Sequence, residues 1–466
     1  MTTRSSWVLG WCLTILVGFQ FGARGLETTD RAPNFIVIFI DDQGYQDLGC
    51  YGSPNIKTPN IDRMASEGTR FTDFYSLAPI CSASRAALLT GCYPARVGVT
   101  GVLFPRHRIG LNPSEMTIAK LLKKRNYSTA CIGKWHLGHH PEFLPTSHGF
   151  DQFYGLPYSN DMDPVQGESR DRDRAWREKD VTPWNVPLMR DTVIVERPAK
   201  QDTLTKRYTE EATQFIRDNA ESPFFLYLPH TMPHIPLFVS DDFYDPDPHK
   251  AYAATIAEID WSVGEILKTV KRLGIDDKTL IVYTSDNGPW LGMKHHGGSA
   301  LPLRDGKFST FEGGMRVPCI VRWPGKVPAG RVSSEIGASF DFLPTFAHFA
   351  GLELREEHVI DGKNIAGLLT GTENSPHEEF FYYRGENVQA VRRGPWKLNL
   401  GRVQKRRNRP DVVTPTSLHY LPTDISEAKN VIEQNPSVAD AMTEAAEAFD
   451  QSLKASRRPA GTLDAE

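Results

Sequence analysis

Hydrophobic positions along the chain fall into two regimes. From residue 34 to about 350, unbroken apolar runs alternate with stretches of helical period. The clearest run is NFIVIFI at 34–40, and a strand that is apolar at successive positions is one buried on both faces, as in a parallel sheet. Comparable runs lie at 129–132, 224–228, 279–284 and 319–323, and 71–76 reads as a further strand. Between them the period lengthens. A helix is predicted at 58–67, with Thr58 or Asn60 as cap and Gly68 as stop, and another at 115–125, with Ile118, Leu121 and Leu122 on one stripe. Further helices are predicted at 208–219, 252–273 and 342–349. This alternation predicts an α/β fold, a large mostly parallel sheet sandwiched by helices. After about residue 375 the pattern changes to short strands at 380–383, 388–392 and 396–400, a charged stretch at 402–409 and a helix at 438–453. That predicts a small C-terminal antiparallel sheet plus helix. The polar segment 161–200 has weak periodicity and reads as a long loop, which inside a compact domain is usually functional.

The first 25 residues read as an address. Arg4 precedes an uncharged apolar run at 7–21, and Ala23-Arg24-Gly25 offers small residues for cleavage. About 15 apolar residues fall short of the roughly 20 a spanning helix needs. Cys12 lies within the run rather than after it, which argues against a lipid anchor. The expected organisation is a signal peptide at 1–25, a catalytic domain at 26–375 and a C-terminal α+β subdomain at 376–466, in an exported, periplasmic or secreted protein without a membrane anchor. The single N-glycosylation acceptor, Asn126-Tyr127-Ser128, favours a bacterial exported protein over a lysosomal one. With 40% hydrophobic and 24% charged residues, the 466-residue chain is neither disordered nor fibrous. A net charge of −4 supplies no basic field for nucleic acid, and six cysteines without a CxxC pair suggest neither zinc nor dithiol chemistry.

Chemistry gathers at strand ends. Asp41-Asp42 follows the first strand and Asp286-Asn287 follows the strand ending near Thr284, where open parallel sheets bind ligands. For either pair alone, an acidic loop start is the ordinary explanation. Both together, each beside a glycine (Gly44, Gly288), shift the balance towards a cage for Ca²⁺ or Mg²⁺. Cys81 and Arg85 open an apolar helix beginning near Ser84, a place that favours anions, and an arginine fork suits an oxyanion. An isolated cysteine is more often a buried structural thiol, and no histidine base lies nearby in sequence for a protease-type thiolate.

Cys81-Ser-Ala-Ser-Arg85 with Leu89-Thr-Gly91, and Gly133-Lys-Trp-His-Leu-Gly138, resemble the two signature motifs of the formylglycine-dependent (type I) sulfatases. The resemblance runs on through Asp41-Asp42, Ser285-Asp-Asn-Gly288, Gly306-Lys-Phe-Ser-Thr-Phe-Glu-Gly-Gly314 and Leu418-His-Tyr-Leu-Pro-Thr-Asp424, across nearly the whole chain after the first segment. It implies an alkaline-phosphatase-like fold and a sulfuric ester hydrolase acting on a sulfated sugar or glycan. It also implies that a maturation enzyme oxidises Cys81 to formylglycine (3-oxoalanine). One hydroxyl of the hydrated aldehyde attacks sulfur, and the second lets sulfate be expelled. By the same resemblance Asp41, Asp42, Asp286 and Asn287 bind Ca²⁺, less expectedly Mg²⁺, together with an oxygen of modified Cys81. Arg85 orients the diol, Lys134 and Lys307 hold sulfate oxygens, and His136 takes a proton from the second hydroxyl. Ser159, in Pro157-Tyr-Ser-Asn160, matches a sulfate-contacting serine. His234, in the better His-x-Pro match, is expected to protonate the departing alkoxide, with His230 a neighbour or a satisfied loop histidine.

Other expectations follow. His295-His296 are candidates for contacting substrate, whereas His139, His140 and His148 have no required role. Segments 161–200 and 290–303 are expected to border the pocket mouth. Ala83 stands where many members of the family carry proline, which bears on whether a formylglycine-generating enzyme or a more permissive radical S-adenosylmethionine maturase acts on the chain. Two other functions compete. A metal-dependent phosphodiesterase or phosphatase of the same superfamily typically uses serine or threonine with histidine-rich zinc sites, against Cys81 and an oxygen cage. A binding protein with lost catalysis should show a broken motif, and every motif position is filled.

Overall fold

The computed structural model describes residues 1–3, 6, 31–354, 358–404 and 412–463. The apolar run and cleavage site of the expected signal peptide lie outside the described residues, as does most of the charged stretch 402–409. From Ala32 onward the chain forms one unit.

Ten strands make the main sheet: β1 (Asn34–Ile40), β2 (Thr69–Phe71), β3 (Ser128–Ile132), β4 (Gln152–Gly155), β5 (Leu188–Arg190), β6 (Val193–Glu196), β7 (Phe224–Pro229), β8 (Thr279–Ser285), β9 (Cys319–Arg322) and β10 (Arg331–Ser333). Their order is β10-β2-β9-β8-β1-β7-β3-β4-β5-β6. The five central strands, β8 to β4, run parallel. β9 and β5 join that core antiparallel, so the sheet is mixed at its flanks.

β1 shows why the apolar runs had to be central strands. Ile36, Ile38 and Ile40 point into one core, and Phe35, Val37 and Phe39 into the other, all fully buried. Each such side chain contributes roughly 1.5–3 kcal/mol of burial, so a charge at Val37 would break the layer on that side. Helices α2 (Leu204–Asp218) and α3 (Ala251–Arg272) cover the first face; α1 (Cys81–Thr90) and α4 (Phe342–Phe349) cover the second.

A second sheet, β11 (Glu379–Arg384), β12 (Asn387–Arg393), β13 (Trp396–Asn399) and β14 (Ser417–Tyr420), is antiparallel in that order and packs against α5 (Pro436–Ala455). Its contact with the rest of the chain is partly apolar and partly a set of buried charges. Lys397 donates to Glu312 at 2.9 Å and sits 3.0 Å from Glu427, while Tyr75 and Tyr382 donate to the two oxygens of Glu312, each at 2.7 Å. Arg392 and Arg316 share Asp73 at 2.6 and 2.7 Å. Burial works to raise the Glu312 carboxyl, but Lys397, then Arg316 and Arg392, hold it well below its ordinary range.

Several expectations change. The helix Pro59–Ser66 is capped by Asp260, which accepts from the amides of Asn60 (3.0 Å) and Ile61 (2.8 Å); the Thr58 hydroxyl instead donates to Asp62. The strand expected at 71–76 divides into Thr69–Phe71 and Phe74–Tyr75. Segment 161–200 is not a loop: it contains a helix, Arg172–Glu178, and the edge strands β5 and β6. Val193, Ile194 and Val195 on β6 are exposed, so a core-seeking pattern could not reveal them.

Candidate active site

Four adjacent parallel strands, in the order β8-β1-β7-β3, deliver the polar residues at their carboxyl ends. β8 ends at Ser285 and is followed by Asp286-Asn287; β1 ends at Ile40 and leads into Asp41-Asp42. β7 leads to His234, and β3 to Lys134 and His136. Gly133, at φ 132°, lets the chain leave β3 against β7, since a Cβ there would stand 1.9 Å from the Pro229 carbonyl. Helix α1 enters from the side, and it starts at Cys81 rather than near Ser84. Its first turn therefore points the sulfur into the strand ends.

The Cys81 thiol donates to Asp41 Oδ1 at 3.3 Å and lies 3.9 Å from Asp42 Oδ1 and 3.4 Å from Lys307 Nζ. Burial first, then the Asp41 charge, push this thiol well above its ordinary range against Lys134 and Lys307, so it stays protonated. Arg85 donates Nε and Nη2 to Asp286 Oδ2 (3.1 and 2.8 Å) and Nη1 to the Lys134 carbonyl (2.7 Å). Lys134 Nζ binds Asp41 and donates to Ser159 Oγ at 3.1 Å; Lys307 Nζ binds Asp42 at 2.7 Å. Burial opposes ionisation of Asp41, yet Lys134, His234, Arg85 and Lys307 hold it well below the usual carboxylate range.

The two histidines present opposite nitrogens. His136 Nε2 meets the Leu103 carbonyl at 2.9 Å, which makes Nε2 the protonated nitrogen and leaves Nδ1 buried and without a partner. Burial, then Lys134 and Arg85, keep this ring neutral. His234 Nδ1 meets the Ile235 carbonyl at 2.7 Å, so Nε2 faces the site, 3.6 Å from Asp42 Oδ2. Burial and Lys307 lower its pKa and Asp42 opposes them.

The donor set fits a hard cation. Asp41, Asp42 and Asp286 bring three carboxylates together with the Asn287 side chain, whose Nδ2 donates to Asp42 at 2.7 Å while its Oδ1 is buried without a partner. Burial and then Asp41 push Asp286 up to about 7, and a cation held among these carboxylates would favour its ionised form. Asp41, Asp42, Cys81 and His234 also each turn a ligand atom into one space. Oxygen donors of this kind suit calcium or magnesium better than zinc.

The residues predicted to react, to hold sulfate and to hold the cation therefore lie close together. His230 does not join them: its Nε2 pairs with Ser262 of α3 at 3.2 Å. His295 and His296, expected to meet substrate, both direct Nε2 at Asp173 Oδ1 (2.8 and 2.7 Å), joining loop 290–303 to the helix within segment 161–200. Sequence reasoning missed Asn160, whose Oδ1 is 3.2 Å from His234 Nδ1, the Leu103 carbonyl, and Trp290, whose ring lies 5.9 Å from that of His234 and 4.8 Å from Lys307 Nζ. Asn160 adjoins Ser159 in a quoted motif, which was the available signal; a backbone carbonyl leaves none.

The family model described as Sulfatase matches residues 33–352, and one described as N-sulphoglucosamine sulphohydrolase, C-terminal, matches 304–447. The chain is 39% identical to dog N-acetylgalactosamine-6-sulfatase (Canis lupus familiaris) over 84% of its length and 76% of that protein. It is likewise 39% identical to human arylsulfatase A (Homo sapiens), over 81% and 76%. Among solved structures it resembles Ps i-CgsB in complex with k-i-k-neocarrahexaose, with a TM-score of 0.78, 32% identity and coverage of 93% and 96%. With its alkaline-phosphatase-like sheet, the chain belongs to the type I sulfatases and is a sulfuric ester hydrolase.

Proposed function

We propose that this enzyme is exported and removes sulfate from a sulfated glycan, using Cys81 matured to formylglycine and a calcium ion held by Asp41, Asp42, Asp286 and Asn287. The observation that carries the site is the placement of Cys81 Sγ, which at one time touches Asp41 (3.3 Å) and Lys307 (3.4 Å) at the start of a buried helix. A thiol held protonated there is a poor nucleophile. The formylglycine hydrate would supply both an attacking oxygen and a second hydroxyl for sulfate release, and calcium would supply positive charge beside them.

The chain's own residues do the rest. Lys134 and Lys307 bind sulfate oxygens from two sides, and Ser159, already in contact with Lys134, adds a hydroxyl. Arg85, locked by Asp286 and the Lys134 carbonyl, fixes the position of residue 81. The bare Nδ1 of His136 accepts a proton, and His234, once Nε2 has also taken a proton beside the Asp42 carboxylate, delivers that proton to the leaving alcohol. The glycan assignment is supported by the relatives: Ps i-CgsB was solved with k-i-k-neocarrahexaose, and a curated relative is an N-acetylgalactosamine-6-sulfatase. Maturation would fall to a formylglycine-generating or radical S-adenosylmethionine enzyme able to read Ala83.

The test joins mass to turnover. Active protein should release sulfate from a small aryl sulfate, and the peptide spanning residues 81–85 should carry CHO in place of CH₂SH. Cys81→Ala should lose activity by several orders of magnitude, on the scale of enzymic accelerations of about 10⁶ and above. Full activity with unmodified Cys81, or turnover by Cys81→Ala, defeats the proposal.

A further inference from the structure

Beside the reacting residues lies a second cavity, of about 690 Å³, within the range of glycan-sized sites. One wall is made by Ile80, Val102 and Phe308. Each is one peptide bond from the chemistry: Ile80 from Cys81, Phe308 from Lys307, and Val102 from Leu103, whose carbonyl holds His136. The cavity thus begins about 4 Å of chain from the sulfur-bearing residue. The rest of the lining comes from β11 and β12 of the C-terminal sheet, with Arg384 and Gln389, and from the short ribbon after β13, with Arg402.

Those two arginines differ from the fully buried ones. Arg96, Arg316, Arg322 and Arg392 each hold a carboxylate at 2.7 Å or less. Arg384 and Arg402 form no salt bridge with a described residue. Arg402 donates only a long hydrogen bond, 3.3 Å, to Thr310, which in turn donates to Gln389. Burial lowers both guanidinium pKa values; Arg384 lowers that of Arg402 further, and Asp305 offsets this only in part. Two half-buried cations that repel one another across an open cavity are unfavourable until an anion joins them. Planar forks of this type suit the oxygens of sulfate or carboxylate.

We propose that Arg384 and Arg402 form a second anion site, which binds a sulfate or carboxylate on the sugar next to the one being desulfated. Preferred substrates are then oligosaccharides carrying at least two negative groups on neighbouring residues. This rests on the glycan sulfatase function proposed above, and the experiment separates the two.

Mature full-length enzyme is compared on a small aryl sulfate and on three sulfated disaccharides whose neighbouring sugar bears a sulfate, a carboxylate or no charge. The wild type should favour one of the charged neighbours over the neutral one, and the favoured one identifies the group. In Arg384→Gln/Arg402→Gln, the ratio of kcat/KM for that disaccharide to that for the aryl sulfate should fall about 10- to 100-fold, chiefly through KM. Arg384→Lys/Arg402→Lys should recover part of it. No preference among the three disaccharides, or an equal fall on both substrate kinds, overturns the second site. Failure of formylglycine-bearing wild type on every ester would instead sink the proposed function. Calorimetric titration of the charged disaccharide into Cys81→Ala with and without the arginine changes then decides the anion site alone, and equal affinities overturn it.

Discussion

Removing the Asp286 carboxylate takes away a proposed calcium ligand and also the acceptor for two Arg85 N–H groups. Asp286→Ala should therefore lose the bound cation and at least 10²-fold in activity, a scale typical of losing one preorganised electrostatic group. It should also destabilise the fold by about 3 kcal/mol, because the buried guanidinium loses its close carboxylate and keeps only the longer contact to Asp41, at 3.5 Å. Calcium content by metal analysis, read with thermal unfolding, checks both parts. Retained stoichiometric calcium would refute the ligand assignment, and stoichiometric zinc would refute the oxygen cage. At this scale the sequence was informative wherever a side chain follows directly from a strand end or a motif. Asp41, Asp42, Lys134, Asp286 and Asn287 are of that kind. It was uninformative where the partner arrives from far along the chain. Asp260 displaces Thr58 as a helix cap across 200 residues, and the Leu103 carbonyl fixes the His136 tautomer without any side-chain signature.

Helix α3 carries the element-scale test. Glu258 on its buried face is 1% exposed, with one oxygen accepting from the Ser240 amide at 3.3 Å and the other without a partner. Burial pushes its carboxyl up to about 7. A carboxyl raised above its unfolded value of about 4.3 stabilises fully below that pH, and the contribution is lost as pH rises through about 7. The loss amounts to roughly 3–4 kcal/mol. Glu258→Gln should thus melt higher than wild type at pH 8 and close to it at pH 4, with Tm measured at both; a pH-independent gap would contradict the titration. Elements such as α3 and β1 were legible because one period holds over their whole length. β5, β6 and the helix Arg172–Glu178 were not, since each is three to seven residues long and β6 exposes its valines.

At the scale of the molecule, the mostly parallel sheet and the C-terminal antiparallel sheet both follow from the change in hydrophobic pattern near residue 375. The bond between them does not, because Glu312, Lys397 and Glu427 look like ordinary surface charges in sequence. Lys397→Met should leave Glu427 without its cation and Glu312 with Arg316 alone as a paired cation, and cost about 3 kcal/mol, seen as a lower Tm for the whole chain. An unchanged Tm would mean that the junction is held by its apolar contacts alone.

That junction has a consequence for selectivity. Glu312 lies five residues beyond Lys307, and its partner Lys397 lies between Arg384 and Arg402 in the chain. The same buried ion pair therefore ties the loop that carries Lys307 to the sheet that carries Arg384 and leads into Arg402. The gap between the two proposed anion positions would then be set like the jaws of a locked caliper. An enzyme built on both proposals would measure the spacing of charges along a sugar chain and accept those that match.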